Sequence, residues 1–107
     1  MSDYRCAIFN ELESALSTIE RHISILRILL NEQPVGIVRI SRETGIPEHK
    51  VRYSLKVLER ERVIEASSQG ALISPEFIEN RASIMEEGKQ LMKNLSVMLE
   101  ALKQVTG

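Results

Sequence analysis

Apolar residues near the start of the chain recur at the spacing of a helix that buries one face. The intervals between successive apolar positions alternate between four and three residues, at Leu12, Leu16, Ile19, Ile23, Leu26 and Leu30. This heptad rhythm predicts one long helix, which we expect to run from Asp3 to Asn31 with Ser2 as its N-cap. Ser17 followed by Glu20 also matches a capping box, so a break at that point is an alternative.

A second apolar stripe occupies the last third of the chain. Met85, Met92 and Leu99 are seven residues apart, as are Leu95 and Leu102, and Ile84, Leu91, Met98 and Val105 form a flanking row. The pattern predicts a second long helix over residues 76–107, with Pro75 and Glu76 in its first turn.

The middle of the chain predicts several short secondary-structure elements. Ile37 to Thr44 predicts a short helix that ends at Gly45, and Pro47 opens another helix that runs to about Arg60. Two strands, Val63 to Ala66 and Ala71 to Ser74, predict a hairpin joined through Ser67, Ser68, Gln69 and Gly70. We therefore expect a mainly α fold with a small β-hairpin (α+β). We expect it to form a single domain, 1–107, in which segments 1–24 and 76–107 are the outer helical parts and segment 25–75 holds the short helices and the hairpin.

The two short helices match a helix-turn-helix. Ile40, Thr44, Gly45, Ile46 and Val51 fall at the offsets expected where two helices meet at a tight turn. The stretch from Val51 to Ile64, and most clearly Leu55, Lys56, Val57 and Leu58, resembles the recognition helix and first wing strand of winged helix-turn-helix regulators. The similar families are the arsenical-repressor-like and multiple-antibiotic-resistance-regulator-like ones.

The resemblance covers about residues 25–78 and implies a winged helix-turn-helix flanked by the long helices. Arg62 stands where those families usually have glycine, so the turn into the wing is expected to differ. The resemblance also implies that the hairpin tip touches the minor groove or a flanking phosphate, but the tip carries no cation. The cysteine pair by which many arsenical-repressor-like proteins bind metal is missing, which argues against metal sensing.

A helical projection of the segment after Pro47 separates two faces. Val51, Leu55 and Leu58 lie within about 40° of Val51 and define a buried face. The opposite arc is basic, and a helix of this kind can enter the major groove of DNA, where cations donate to guanine edges or phosphates. Residues of the preceding helix are better placed for backbone phosphate. The predicted DNA contacts are Arg39, Arg42, His49, Lys50, Arg52, Tyr53, Lys56 and Arg60.

Charge restricts this interpretation to a local surface. The chain has a net charge of −1, and Ser24 to Glu76 contains eight Lys or Arg against seven Glu. An exposed basic arc on a helix is often only solvated surface, so its coincidence with the helix-turn-helix spacing carries the argument. Double-stranded DNA is the expected partner, bound as a transcriptional regulator. The alternative is a winged-helix adaptor that binds protein within a larger transcription or replication complex.

The long apolar stripes predict a homodimer, because a winged domain of about 50 residues has too little surface to cover both. The predicted interface is Leu12, Leu16, Ile19, Ile23, Met85, Met92, Leu95, Leu99 and Leu102. The alternative is an intramolecular hairpin of the two helices. A two-fold dimer would present two recognition helices about one helical turn of DNA apart, which predicts a palindromic operator.

Composition and motifs exclude several other classes. With 43% hydrophobic and 27% charged residues the chain should fold, and no apolar run approaches the roughly 20 residues that span a bilayer. The N-terminus lacks a signal-peptide pattern, so we expect a cytoplasmic protein without a membrane partner. Cys6, His22 and His49 lack zinc-ligand spacing, and no phosphate-binding glycine loop or catalytic triad is present. We expect no metal, no cofactor and no enzyme activity.

Two isolated residues have ordinary interpretations. Cys6, expected in the first helical turn, is a conceivable redox sensor because the positive helix end lowers a thiol pKa, but an inert cysteine is the simpler interpretation. His22 lies beside the heptad seam and is expected at the edge of the interface.

Overall fold

The computed structural model describes Tyr4 and residues 6–107. In chain order the elements are α1 (Asn10–Asn31), α2 (Ile37–Thr44), α3 (Glu48–Arg60), β1 (Ile64–Ser67), β2 (Gly70–Ile73), α4 (Pro75–Glu79) and α5 (Arg81–Thr106). The predicted fold class, mainly α with a small β-hairpin, is confirmed. The chain divides into two compact units, Met1–Ser74 and Pro75–Gly107. The expected single-domain organisation stays a prediction.

The first helix starts later than its periodicity suggests. Cys6 is extended (φ −125°, ψ 137°), a 3-10 turn covers Ala7–Phe9, and α1 begins at Asn10. The expected start at Asp3 is therefore wrong, and Cys6 precedes the helix instead of lying in its first turn. Glu11 and Glu13 fill the first turn, where carboxylates complement the positive helix end. The proposed cap, Ser2, lies outside the described residues.

The second half of α1 anchors the core of the first unit. Helix α1 continues through Ser17 and Glu20, so the alternative break at the capping box does not occur. Its residues Ile25 and Leu29 are fully buried, each a burial worth about 1.5–3 kcal/mol. The other buried apolar residues are Val35, Ile40, Val51, Leu58, Ile64 and Ala71. This cluster joins the three helices to the hairpin.

The hairpin pairs Ile64 with Ile73 and Ser67 with Gly70, in antiparallel register. The strands are shifted by one residue from the predicted ones, because Ser67 and Gly70 form the last pair and leave a two-residue turn. Val35 adds an isolated bridge to Ala71, with Val35 N–H donating to Ala71 O (3.3 Å) and Ala71 N–H to Val35 O (2.9 Å). Residues before α2 are thus tied to the hairpin.

Arg62 makes the turn that leads from α3 into the hairpin. Its φ is +60°, a left-handed conformation that L-residues adopt at a cost. Its N–H donates to Glu59 O at 3.0 Å, and the next residue, Val63, donates to Leu58 O at 2.8 Å. The backbone at Arg62 thus takes a conformation that suits glycine, while the expected difference from the winged families stays a prediction.

The second unit contains two helices where one was expected. Helix α4 ends at Glu79 and α5 begins at Arg81, so the single helix predicted over 76–107 is wrong. Asn80 sits between them with φ −101° and ψ 14°, and its side-chain Nδ2 donates to Glu76 O at 2.8 Å. Asparagine side chains that bond nearby backbone in this way compete with helix continuation.

Candidate nucleic-acid interface

The turn between α2 and α3 is fixed by side chains that bond backbone. Gly45 ends α2 in the left-handed region (φ 76°), and its N–H donates to Ser41 O at 2.9 Å. Ser41 Oγ donates to Ile46 O at 2.6 Å, and Thr44 Oγ1 accepts from Ile46 N–H at 3.2 Å. These bonds set the direction in which α3 leaves the turn. Helices α2 and α3 are thus joined by a turn of three residues, Gly45, Ile46 and Pro47.

Helix α3 divides into the two faces that the projection predicts. Val51 and Leu58 are buried and Leu55 is half-buried against the core. The predicted contacts on α3 are all exposed, namely His49, Lys50, Arg52, Tyr53, Lys56 and Arg60. The expectation that the aliphatic edge is hidden and the basic edge is open to solvent is confirmed.

The basic side chains of α3 differ in whether an acidic side chain pairs with them. Arg60 lies 3.4 Å from a carboxylate oxygen of Glu61. Arg52 and Lys56 form no ion pair with any residue that the structure describes. Lys50 likewise lacks an ion-pair partner among the described residues. Because an uncompensated guanidinium or ammonium attracts an external anion more strongly than a paired one, these three side chains are the cations of α3 that are open to an anion.

Arg39 and Arg42, the predicted phosphate contacts on α2, are both exposed but differ in their partners. Arg39 forms an ion pair with Glu32 and a second one with Glu43, whose Oε2 lies 3.3 Å from the Arg39 Nε. A phosphate would have to compete with these two carboxylates. Arg42 has no ion-pair partner among residues 4 and 6–107 and is the freer of the two.

A concave depression separates α3 from the hairpin. Its volume is about 360 Å³. Its lining combines an apolar floor with the polar side chains of one edge of α3: Val35, Gly36, Ile37, Arg52, Leu55, Lys56, Glu59, Ile64, Ala66, Ser67, Gly70 and Ala71. Arg52 and Lys56 therefore lie on the edge of α3 that faces the hairpin. The hairpin tip beyond it is closed by Ser67 Oγ, which donates to Gly70 O at 2.6 Å.

The opposite edge of α3 faces α1 and carries a contact that sequence reasoning missed. Arg21 Nε donates to Ser54 Oγ at 2.7 Å, and the Arg21 guanidinium carbon lies 5.7 Å from the centroid of the Tyr53 ring. Ser54 is fully buried, although serine in a helix is ordinarily exposed. In the helical projection Ser54 lies next to the buried face of α3. A serine at such a position needs a hydrogen-bond partner, and this was the one sign in the sequence of a contact like that with Arg21.

His22, beside Arg21 on α1, is half-buried. Burial lowers the pKa of His22 below its usual 6.5, and the positive charge of Arg21 lowers it further. Its Nδ1 has no hydrogen-bond partner within the part of the chain that the structure describes. The cost of charging this ring favours the neutral form at neutral pH.

The predicted dimer residues lie on exposed helix faces of the single chain. Leu12, Leu16, Ile19 and Ile23 lie along α1 ahead of the core residues Ile25 and Leu29. On α5 the exposed members are Met85, Met92 and Leu99, and the half-buried ones are Leu95 and Leu102. Among the described residues of α5, none is buried. Cys6 is a free, exposed thiol.

No protein-family model matches the sequence, and a comparison with curated proteins finds no relative. Within the described residues, no group of His, Cys, Asp or Glu side chains is arranged to hold a metal ion. None of the described helices has the length and apolarity needed to cross a membrane.

Proposed function

We propose that this chain is a sequence-specific transcriptional regulator that binds double-stranded DNA as a homodimer, with α3 in the major groove. The observation that supports this most directly is the division of α3 into a buried aliphatic face and an exposed surface that carries three unpaired cations, Lys50, Arg52 and Lys56. Side chains of this type, presented on a helix that follows a fixed turn, are the groups that donate to base edges and phosphates.

The depression between α3 and the hairpin fits the path of a DNA backbone. A recognition helix in the major groove is flanked by a phosphate strand on each side, and a wing lies beyond one of them. Arg52, Lys56 and the acidic Glu59 line this depression, so a strand that lies along it would meet two cations and one carboxylate. The hairpin tip carries no charge over Ser67–Gly70, so we assign phosphate binding to α3 and not to the tip.

A second copy of the chain is the proposed partner for the apolar faces. Eight large apolar side chains of α5 are between 39% and 83% exposed, and seven of them lie along the apolar stripe, namely Ile84, Met85, Leu91, Met92, Met98, Leu99 and Val105. Together they offer on the order of 800 Å² of apolar surface, which is what each partner buries in a standard interface. Since the stripe repeats every seven residues along a 26-residue helix, the same stripe on a second copy can pack against it.

The test compares a double variant with a charge-matched control. We expect the wild-type chain to bind a random-sequence duplex with an affinity that falls steeply with salt, because each neutralised phosphate releases counterions. Arg52→Ala with Lys56→Ala should reduce the slope of log K against log salt by about 2. Lys89→Ala with Lys93→Ala, on α5, removes the same charge and should leave the slope unchanged. Equal slopes for the wild type and the α3 double variant would refute these contacts.

Two observations favour the alternative, an adaptor that binds protein instead of DNA. Arg39 is paired with two carboxylates and the hairpin tip is uncharged, so parts of the surface that would face DNA lack free cations. The absence of any wild-type mobility shift at low salt would overturn the DNA proposal and favour the adaptor.

A further inference from the structure

We propose that Arg21 is a further phosphate-binding residue of this interface, placed on α1 and aimed by two residues of α3. The inference rests on the proposed DNA-binding function and adds a contact on the edge of α3 that faces away from the hairpin. It assigns a role to a side chain that lies outside both the helix-turn-helix and the hairpin.

The position of the Arg21 guanidinium is set by Ser54 and Tyr53. Its Nε donates to the Ser54 hydroxyl at 2.7 Å, and Ser54 has no exposed surface, so this hydroxyl is an anchor that solvent does not reach. The Tyr53 ring, 5.7 Å from the guanidinium carbon, supports the charge from one side. Because Tyr53 is 57% exposed, the guanidinium is held where the outer face of α3 meets α1.

Most of the donors of Arg21 are left for an external group. A guanidinium carries five N–H donors in a planar fork, and the bond to Ser54 uses the one on Nε. Arg21 forms no ion pair with residue 4 or with residues 6–107. A half-buried cation without an acidic partner is costly to keep, and a bidentate oxyanion satisfies both its charge and its geometry.

Phosphate on DNA is the oxyanion that this position fits. Arg52 and Lys56 line the edge of α3 that faces the hairpin, whereas Arg21 lies at the edge formed by Tyr53 and Ser54. A helix in the major groove has one phosphate strand on each side. Arg21 therefore supplies a cation for the strand that Arg52 and Lys56 do not address.

The same geometry would also serve a purely structural tether between α1 and α3, so the test needs a readout that a tether does not change. That readout is the slope of log K against log salt for a random-sequence duplex, measured with the full chain. Arg21→Gln should lower the slope by about 1 and weaken binding about tenfold at low salt. The loss should be the same for different duplex sequences, since phosphate contacts carry no sequence information.

Three further variants separate charge from folding. Arg27→Gln removes an exposed arginine from the same helix and should leave the slope unchanged. Arg21→Lys keeps the charge without the fork and should retain the wild-type slope with weaker binding. Ser54→Ala removes the anchor and should weaken binding while the slope stays near that of the wild type. Thermal unfolding of each variant reports folding separately.

The outcomes distinguish this inference from the function on which it rests. A wild-type chain that binds the duplex, together with an Arg21→Gln variant of unchanged slope, would overturn the role of Arg21 alone, even if its unfolding temperature fell. A wild-type chain that binds no duplex would overturn both proposals. A slope lowered in Arg21→Gln and not in Arg27→Gln is the result that the geometry predicts.

Discussion

Gly70 is the residue at which a single added carbon should be most disruptive. Its φ is +131°, a conformation that L-residues rarely adopt, and a Cβ built there would lie 2.6 Å from the Val35 carbonyl carbon and 2.7 Å from its oxygen. Val35 cannot yield easily, because it is buried and exchanges two backbone hydrogen bonds with Ala71. Gly70→Ala must therefore strain the hairpin or separate it from Val35.

The size of the effect follows from these contacts. The backbone strain costs about 1–3 kcal/mol, and the two hydrogen bonds to Val35 contribute about 1 kcal/mol each. Alanine restricts the unfolded chain and returns about 0.5 kcal/mol. We expect Gly70→Ala to lower the free energy of unfolding by about 3 kcal/mol, which in a unit of this size lowers the unfolding temperature by roughly 15 °C.

Gly36→Ala is the matched control. Nothing lies within 4 Å of a Cβ built at Gly36, and its φ of −94° is open to alanine. Its free energy of unfolding should stay within about 0.5 kcal/mol of the wild-type value. Urea unfolding followed by circular dichroism measures both variants, and hydrogen exchange at the Ala71 amide reports the bridge. A Gly70→Ala variant as stable as Gly36→Ala would refute the close approach of Gly70 to Val35.

Three other predictions concern stability, pH and assembly. Arg62→Gly should raise the free energy of unfolding by about 0.5–1 kcal/mol, because glycine adopts φ +60° without strain; a lower urea midpoint would contradict this. The lowered pKa of His22 stabilises the fold above about pH 6.5, and this contribution is lost as pH falls through the folded-state pKa. His22→Gln should therefore lose less stability than the wild type between about pH 7.5 and about pH 5.5, and equal losses would show that His22 is not responsible. Met92→Lys with Leu99→Lys should give monomers in sedimentation velocity, whereas Val97→Lys, on the other side of α5, should leave the dimer; a dimeric double variant would place the interface elsewhere.

Local signals predicted the elements around the candidate site well. Helix α2 has the predicted bounds, Ile37–Thr44, since Gly45 ends it in the left-handed region that glycine adopts freely. Helix α3 starts directly after Pro47 and buries Val51 and Leu58 as its periodicity indicates. In both helices the proline, the glycine and the apolar spacing all favour the same structure.

The long helices were predicted less well, because a heptad pattern does not mark where a helix ends. The apolar spacing on α1 extends back to Phe9, three residues before Leu12, although Phe9 lies in the 3-10 turn and the helix begins at Asn10. Asn80 separates α4 from α5 ahead of the second stripe, and its side chain bonds to the backbone of Glu76. Helix-breaking by asparagine depends on such a bond forming, which apolar periodicity does not record.

The apolar pattern of the sequence could not predict side-chain contacts between different helices. The Arg21–Ser54 bond joins residues 33 positions apart, and the pairing of Arg39 with Glu32 spans the link between α1 and α2. Both depend on how the helices pack and not on any local spacing. The ion pair with Glu32 occupies Arg39, which was a predicted DNA contact. The bond to Ser54 holds Arg21, a cation that the sequence did not predict at the site.

The proposed function requires the outer face of α3 to contact a DNA duplex. An amide-resolved NMR titration of the isotope-labelled full chain with a random-sequence duplex at low salt tests it most directly. We expect shift changes concentrated at His49, Arg52, Tyr53 and Lys56, smaller ones along the hairpin, and none along the apolar stripe of α5. A titration without shifts on α3, or with shifts confined to α5, would contradict it.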